Sequence, residues 1–318
     1  MNRLRKALSS TNIQELSFDE PMKDHTSFGV GGPADCYVAP ATIDALSLVM
    51  SVARVHELTT FVLGSGANIL VSDRGIRGVV IDMRNFNYCV RSDNRITAGA
   101  GMNMSDLTKR ALIHDLSGLE FIHGMPGSVG GSVWMNARCY GISIAERITE
   151  VGLIDAKGET IRMPVEPSDF SYKHSPFQQM DAIITDAVFD LHPGERIKIR
   201  DAMEMRRADR EQKGHYRFPS VGSVFKNNRA FGEPTGAIID ALGLKGFTSG
   251  GAKVAEYHAN IVINAEGASA RDILSVIEHV ERIGQEKRGY TLEREVLLVG
   301  DWESMEPDHE QSNELSAR

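Results

Sequence analysis

The chain has 318 residues, 42% hydrophobic and 25% charged, an ordinary globular composition with enough length for two or three domains. Its formal net charge of -8 argues against a general nucleic-acid binder, although loop amides and local lysines can still hold anionic ligands in an acidic protein. Cys36, Cys89 and Cys139 are far apart and odd in number, and no apolar run has signal-peptide or transmembrane length. A soluble cytoplasmic protein is therefore expected, with no disulfide framework, metal site or membrane contact.

Residues 1 to about 20 read as a lead-in with a short helix. From His25 to Pro40, the apolar Phe28, Val30, Cys36 and Val38 suggest strands broken by a turn at Gly31-Gly32. The next stretch has helical spacing, with Leu46, Val49, Met50 and Ala53 on one face. "TTFVLGSGANILVSD" reads as strand, glycine loop and short strand, and "GVVIDM" as a further strand. Together these make a small β-α-β unit. Ile96 to Gly101 is a strand, and Ser105 is the expected cap of a helix from Asp106 to His114. Residues 148–163 form a hairpin turning at Ala156-Lys157-Gly158, followed by the strand "DAIITDAVFDL". A highly charged helix then marks a domain boundary near residue 195. Later elements are a helix from Ala237 to Gly243 and a strand from Asn260 to Asn264. An amphipathic helix capped by Ser269 turns Ile273, Val276, Ile277 and Val280 inward, and "TLEREVLLVG" closes as a strand. The acidic tail from Asp301 is expected to be disordered.

Two glycine-rich loops carry the first chemical signal. In "LGSGANIL", Leu63 to Leu70, glycines let backbone amides approach a pyrophosphate, and Ser65 and Asn68 add side-chain donors. The motif is not G-x-G-x-x-G, because Ile69 stands where the last glycine would be, and a simple tight turn is the competing reading. "HGMPGSVGGSVWMNA", His123 to Ala137, is a second backbone cradle, or alternatively a connector, running into a helix at Val133-Trp134-Met135. Two cradles in one chain suit a dinucleotide whose two phosphates are gripped from both sides. Ser223, in "FPSVGSVFKNN", is not in a G-x-S-x-G elbow. It reads either as a turn hydroxyl or as a proton donor prepared by a cation or carboxylate.

Eight motifs in order give these loops a context. They are "HTSFGVGG", "LGSGANILVSD", "GMPGSVGGSVWMNA", "FSYKHS", "GSVFKNN", "LGLKG", "GGAKVAEYHANIVIN" and "LEREVLLVG", and they span roughly residues 20 to 300. The chain resembles the UDP-N-acetylenolpyruvoylglucosamine reductases (MurB), in their shorter class without a substrate-capping insertion. The resemblance implies an α+β protein with an FAD-binding region of the vanillyl-alcohol-oxidase type in two lobes, residues 1–85 and 86–195. A smaller α+β substrate-binding domain, residues 196–300, would follow, with 301–318 as the tail. It also implies noncovalent FAD and NADPH as electron donor. The expected activity is reduction of UDP-N-acetylglucosamine enolpyruvate to UDP-N-acetylmuramate for peptidoglycan, by a monomer. The alternative is a paralogue acting on a related enol ether or nucleotide sugar.

The same resemblance assigns residues. Gly64, Ser65, Gly66, Ala67, Asn68 and Ile69, with Gly127, Ser128, Gly130, Gly131 and Asn136, would hold FAD. Hydride would reach the enol-ether carbon C3, Ser223 would protonate C2, and Glu295 would be its acid partner. The family's F-x-Y-R-x-S motif uses an arginine for the substrate carboxylate. Lys173 stands there instead, keeping the charge and losing the two-pronged grip. His174 beside it reads as an ordinary surface histidine or as a helper. Tyr172, Lys213, Asn227 and His258 would contact the sugar nucleotide, with Lys213 on the diphosphate. Glu293, two residues before Glu295, should face the same side, so spacing does not choose between them. Arg138 and Cys139 stand where small residues are commoner, and Arg138 has no assigned role.

Overall fold

Alternation along β-strands builds the first layer. The computed structural model describes residues 8, 13 and 15–302. Strands β1 (Leu16–Pro21), β2 (Pro33–Val38), β3 (Thr60–Leu63), β4 (Ile69–Val71) and β5 (Ile76–Asp82) surround helix α1 (Ile43–Val55). Four of them form a sheet in the order β1-β2-β5-β3, with β2, β5 and β3 parallel and β1 antiparallel. The period of two sends Cys36, Val38, Val79 and Ile81 to one face with Leu46 and Val49 of α1. Tyr37 and Val80 go to the other face, with Met22 and Val71.

Three expectations change in this region. Part of the lead-in is strand, since Leu16–Pro21 pairs with β2; the rest of the expected helix lies almost wholly outside the described residues. Phe28 and Val30 are not in strands. They are buried loop residues packed into the core of the C-terminal third, so burial rather than pairing explains their apolar character. No turn forms at Gly31-Gly32; glycine there serves close approach instead, since a Cβ on Gly32 would sit 2.0 Å from the Asp73 carbonyl oxygen.

The second layer is antiparallel. Its strands are β6 (Cys89–Ser92), β7 (Arg95–Gly99), β11 (Ile148–Asp155), β12 (Thr160–Pro164) and β13 (Ala182–Asp190), in the order β12-β11-β13-β7-β6. Between β7 and β11 lie α2 (Met104–Ile113), β8 (Leu116–Ser117), α3 (Val129–Trp134), and the hairpin β9 (Arg138–Cys139) with β10 (Ile142–Ser143). Asn103, not Ser105, caps α2. Its side chain accepts from the Ser105 amide at 2.8 Å, which places Ser105 inside the first turn. Ser128 caps α3 in the same way. One apolar cluster runs from α1 and the first sheet into the second layer, so the two layers share a core. After β14 (His192–Pro193), α4 (Arg196–Gln212) keeps the expected solvated face but buries Ile199 and Met203. It packs on α2 and the 3-10 turn Glu120–Ile122.

The C-terminal third has α5 (Thr235–Ala241), β15 (Thr248–Ser249), β16 (Ala252–Val254), β17 (Val262–Asn264), α6 (Ala270–Arg288) and β18 (Leu297–Val299). The β15-β16-β17 sheet packs on α6, whose Ile273, Val276, Ile277 and Val280 are buried as expected. Ser269 caps α6, and the Asp73 carboxylate accepts from the amides of Ala270 and Arg271 at 2.8 and 2.9 Å. The closing strand is shorter than "TLEREVLLVG" suggests. Only Leu297–Val299 pairs, and it does so in parallel with β4, some 228 residues earlier in the chain (Leu297↔Ile69). This return brings Glu295 beside the first glycine loop. Almost all of the acidic tail lies outside the described residues. Among the described residues no helix is long and apolar enough to cross a membrane, and no group of His, Cys, Asp and Glu could hold a metal ion.

Candidate active site

Both glycine loops open onto one cavity of about 790 Å³. The first supplies Gly64, Ser65, Gly66, Ala67, Asn68 and Ile69, and the second supplies Gly127, Ser128, Gly130 and Gly131. They touch one another: a Cβ on Gly64 would lie 2.4 Å from the Ser128 hydroxyl oxygen. Gly66 adopts a φ of +63°, with His25 O only 2.0 Å from where a Cβ would be, so the tight bend requires glycine. Among the described residues, no chain acceptor takes up the amides of Ser65, Gly66, Ala67 or Asn68. A row of unsatisfied amides on a cavity wall fits the diphosphate of a dinucleotide such as FAD.

Asn136 is the exception among the expected cofactor residues, because it does not line the cavity. It is buried at a φ of +46°, and its amide nitrogen donates to the Ser171 carbonyl at 2.8 Å. Its oxygen accepts from the Ala145 amide at 3.3 Å. It therefore positions the loop that carries Tyr172 and Lys173.

That loop is a closed turn. Ser171 and His174 exchange backbone hydrogen bonds, each at 3.1 Å, and Lys173 sits in the left-handed region at a φ of +59°. Ser175 is fully buried and donates to the Trp134 carbonyl at 2.6 Å, fastening the turn to α3. The Lys173 ammonium consequently meets the Glu295 carboxylate in the cavity, with side chains only 12% and 13% exposed. Tyr172 lines the same wall, and its hydroxyl accepts from the Asn227 amide at 3.3 Å. His174 does not line the cavity.

Ser223 reaches this point from the C-terminal third. Gly222, at a φ of +74°, turns the chain just before it, and Ser223 bridges to Ile261. Asn260, buried and unforeseen in the sequence, clamps the next residue: its side chain accepts from the Phe225 amide at 2.9 Å and donates to the Phe225 carbonyl at 2.8 Å. The Val224 carbonyl accepts from the Glu295 amide at 2.7 Å, so the serine and glutamate segments are neighbours. Asn68 joins the first glycine loop to them, donating to the Glu295 carbonyl at 3.0 Å. Glu293 is elsewhere. Its side chain is 71% exposed and paired with Lys226, and it does not line the cavity. The period-two expectation fails because the chain around Arg294 forms only an isolated bridge to Phe225, not a continuous strand.

The same cavity is lined by Lys213, Asn227 and His258, and also by Arg210 and His215, which the sequence did not suggest. Lys213 pairs with Asp209 at 2.9 Å, and the Asn227 side-chain oxygen accepts from the Thr235 amide at 2.9 Å. Burial, then the charges of Arg210, His258 and Lys213, push the His215 imidazole down to about 4. Burial also lowers His258. Both rings are therefore neutral donors and acceptors at neutral pH. Arg210 and His215 carry no signal beyond their place in a charged helix and the loop after it.

Known proteins share this chain's sequence and fold. The family model for an FAD binding domain matches residues 34–164, and that for the UDP-N-acetylenolpyruvoylglucosamine reductase C-terminal domain matches residues 213–299. A UDP-N-acetylenolpyruvoylglucosamine reductase of Treponema denticola is 43% identical over 322 residues, covering 95% of this chain and 100% of that protein. The chain belongs to the UDP-N-acetylenolpyruvoylglucosamine reductase family. A Borreliella burgdorferi member is 40% identical over 298 residues, covering 93% of this chain and 98% of that protein. The crystal structure of the Thermus caldophilus enzyme superposes with a TM-score of 0.75 at 31% identity, covering 90% of this chain and 98% of that one. The expected architecture, an α+β FAD-binding region followed by a reductase-type C-terminal domain, is the one this family member has.

Proposed function

We propose that this chain reduces UDP-N-acetylglucosamine enolpyruvate to UDP-N-acetylmuramate in peptidoglycan precursor synthesis. The carrying observation is that Ser223, Lys173 and Glu295, drawn from three distant segments, line one cavity with both glycine loops. When bound, FAD supplies hydride transfer from donor to enol ether. The residues around it do the rest. The amides of Ser65 to Asn68, with Gly127 to Gly131, hold the cofactor diphosphate. Lys173 neutralises the substrate carboxylate, against which negative charge develops as C3 accepts hydride. Ser223 delivers the proton to C2. Glu295, hydrogen-bonded to Lys173, keeps that ammonium oriented and is the acid partner of Ser223. Tyr172, Lys213, Asn227 and His258 seat the sugar nucleotide.

NADPH as donor, a cytoplasmic monomer, and a role in cell shape and division through the cell wall belong to the same reading. They rest on the family membership. The net charge of -8 supports small anionic ligands held locally rather than nucleic acid. The test is anaerobic stopped-flow absorbance of the FAD-loaded protein, reduced with NADPH and then mixed with the enolpyruvyl sugar nucleotide. Rapid return of the oxidised flavin band is expected. A flavin that NADPH reduces but this substrate fails to reoxidise would refute the assignment and favour the paralogue acting on another acceptor.

A further inference from the structure

Among the described residues, the Arg138 guanidinium is a cation without a partner. It is half-buried in the wall of the cavity, and among the described residues its side chain makes no hydrogen bond or ion pair. A partly desolvated guanidinium left in this way is costly unless an anion meets it from the open side, and here the open side is the cavity.

Its neighbours share the property. The β9–β10 hairpin turns through Tyr140 and Gly141, at φ of +50° and +86°, and docks on the last turns of α4. The Tyr140 hydroxyl donates to Asp209 at 2.7 Å, and Arg206 lies 4.1 Å from its ring centre. The docking sets Cys139 against Arg210, whose Nη2 donates to the Cys139 sulfur at 2.8 Å. Sulfur is a weak acceptor, and among the described residues Arg210 has no carboxylate of its own. Arg210 is only 9% exposed and lines the cavity, yet among the described residues its Nε has no hydrogen-bond partner. Lys213, one turn further on, is balanced by Asp209. Three cations and one carboxylate leave this end of the cavity with two uncompensated positive charges. Burial first, and then the charges of Arg210, His258 and Lys213, lower the His215 imidazole on the same cavity wall.

We infer that Arg138, with Arg210, forms a diphosphate-recognition site at this end of the cavity, taking the diphosphate of a nucleotide that enters during turnover. Two forks of guanidinium donors match a diphosphate in charge and in geometry better than one lysine does. The inference rests on the reading of the cavity as the place of nucleotide turnover. It goes beyond that reading in making Arg138 the residue that sets nucleotide affinity.

The test compares the FAD-loaded protein with Arg138→Gln and Arg138→Lys. Binding of inorganic diphosphate, UDP and uridine is followed by perturbation of the flavin spectrum and by calorimetry. The Arg138 side chain has no partner among the described residues, so the variants should fold, and their flavin content checks this. Arg138→Gln is expected to weaken UDP and inorganic diphosphate about tenfold or more, the effect of one charge-assisted contact, with uridine unchanged and partial recovery in Arg138→Lys. Steady-state kinetics then separate the sources. A higher KM for the enolpyruvyl sugar nucleotide assigns the diphosphate to that substrate, and a higher KM for NADPH assigns it to the donor; either upholds the site. Unchanged affinity for UDP and inorganic diphosphate would overturn it, as would an equal loss for uridine or loss of FAD itself. The binding arms need no turnover, so failure of the proposed reaction leaves them readable.

Discussion

Lys173 and Glu295 are the most telling pair of residues, because each makes sense only beside the other. The ammonium and carboxylate share a hydrogen bond at low exposure, where an unpaired charge is expensive. Lys173→Arg keeps the charge and should retain turnover. Lys173→Ala removes the cation for the substrate and strands Glu295, and should lower kcat by about 10²–10³-fold; equal steady-state rates in all three proteins would remove Lys173 from the mechanism. Ser223→Ala should leave flavin reduction by NADPH intact and slow reoxidation by substrate about 10²–10⁴-fold, the scale of a lost proton donor. Parallel loss of both half-reactions would instead give Ser223 a folding role. These residues were legible in the sequence because each sits in a short motif. Asn260 and Arg210 were not, because a buried amide clamp and an unpartnered guanidinium are defined by what surrounds them.

At the scale of elements, turns and caps do the positioning. Gly222 holds a φ of +74° with nothing near a would-be Cβ, so Gly222→Ala meets no clash but must adopt left-handed backbone, costing about 1–2 kcal/mol. Urea unfolding should show that loss, and flavin reoxidation should slow as Ser223 shifts. A midpoint equal to that of the parent would show that the turn relaxes freely. Asp73 caps α6 from another part of the chain through two amides. Asp73→Ala should cost about 0.5–2 kcal/mol by the same measurement. The sequence located α6 and its Ser269 cap, because both are local. It missed Asp73, which lies nearly two hundred residues away, and it chose Ser105 over Asn103 because either residue type can cap a helix.

At the scale of the whole molecule, buried histidines tie stability to pH. His215 is pushed to about 4, and His123 and His258 are also lowered, in each case first by burial. These groups bind protons more tightly in the unfolded chain, so acid favours unfolding. Their contribution is fully present above the unfolded value of about 6.5 and is lost as pH falls from there toward 4. The Tm of the FAD-loaded protein should therefore drop between pH 7 and pH 5, and His215→Asn should drop less over that interval. Identical pH profiles would show that His215 does not contribute.

By itself the sequence determined the elements with strong local periodicity, the two glycine loops, and the ordered motifs that mark the family. Those signals are short-range: alternation in β2 and β5, helical spacing in α1 and α6, and glycine where backbone must bend. Only the tertiary structure decided which of these features meet. Pairing of β18 with β4 carries Glu295 to the first glycine loop, and the Asn136-anchored turn swings Lys173 onto it. The same folding turned Glu293 outward and brought Phe28 and Val30 into a core formed by the other end of the chain. It also set Arg138 and Arg210 on one cavity wall. The physical reason is that burial and charge compensation are sums over neighbours in space, and strands about 230 residues apart in the chain become neighbours only after folding.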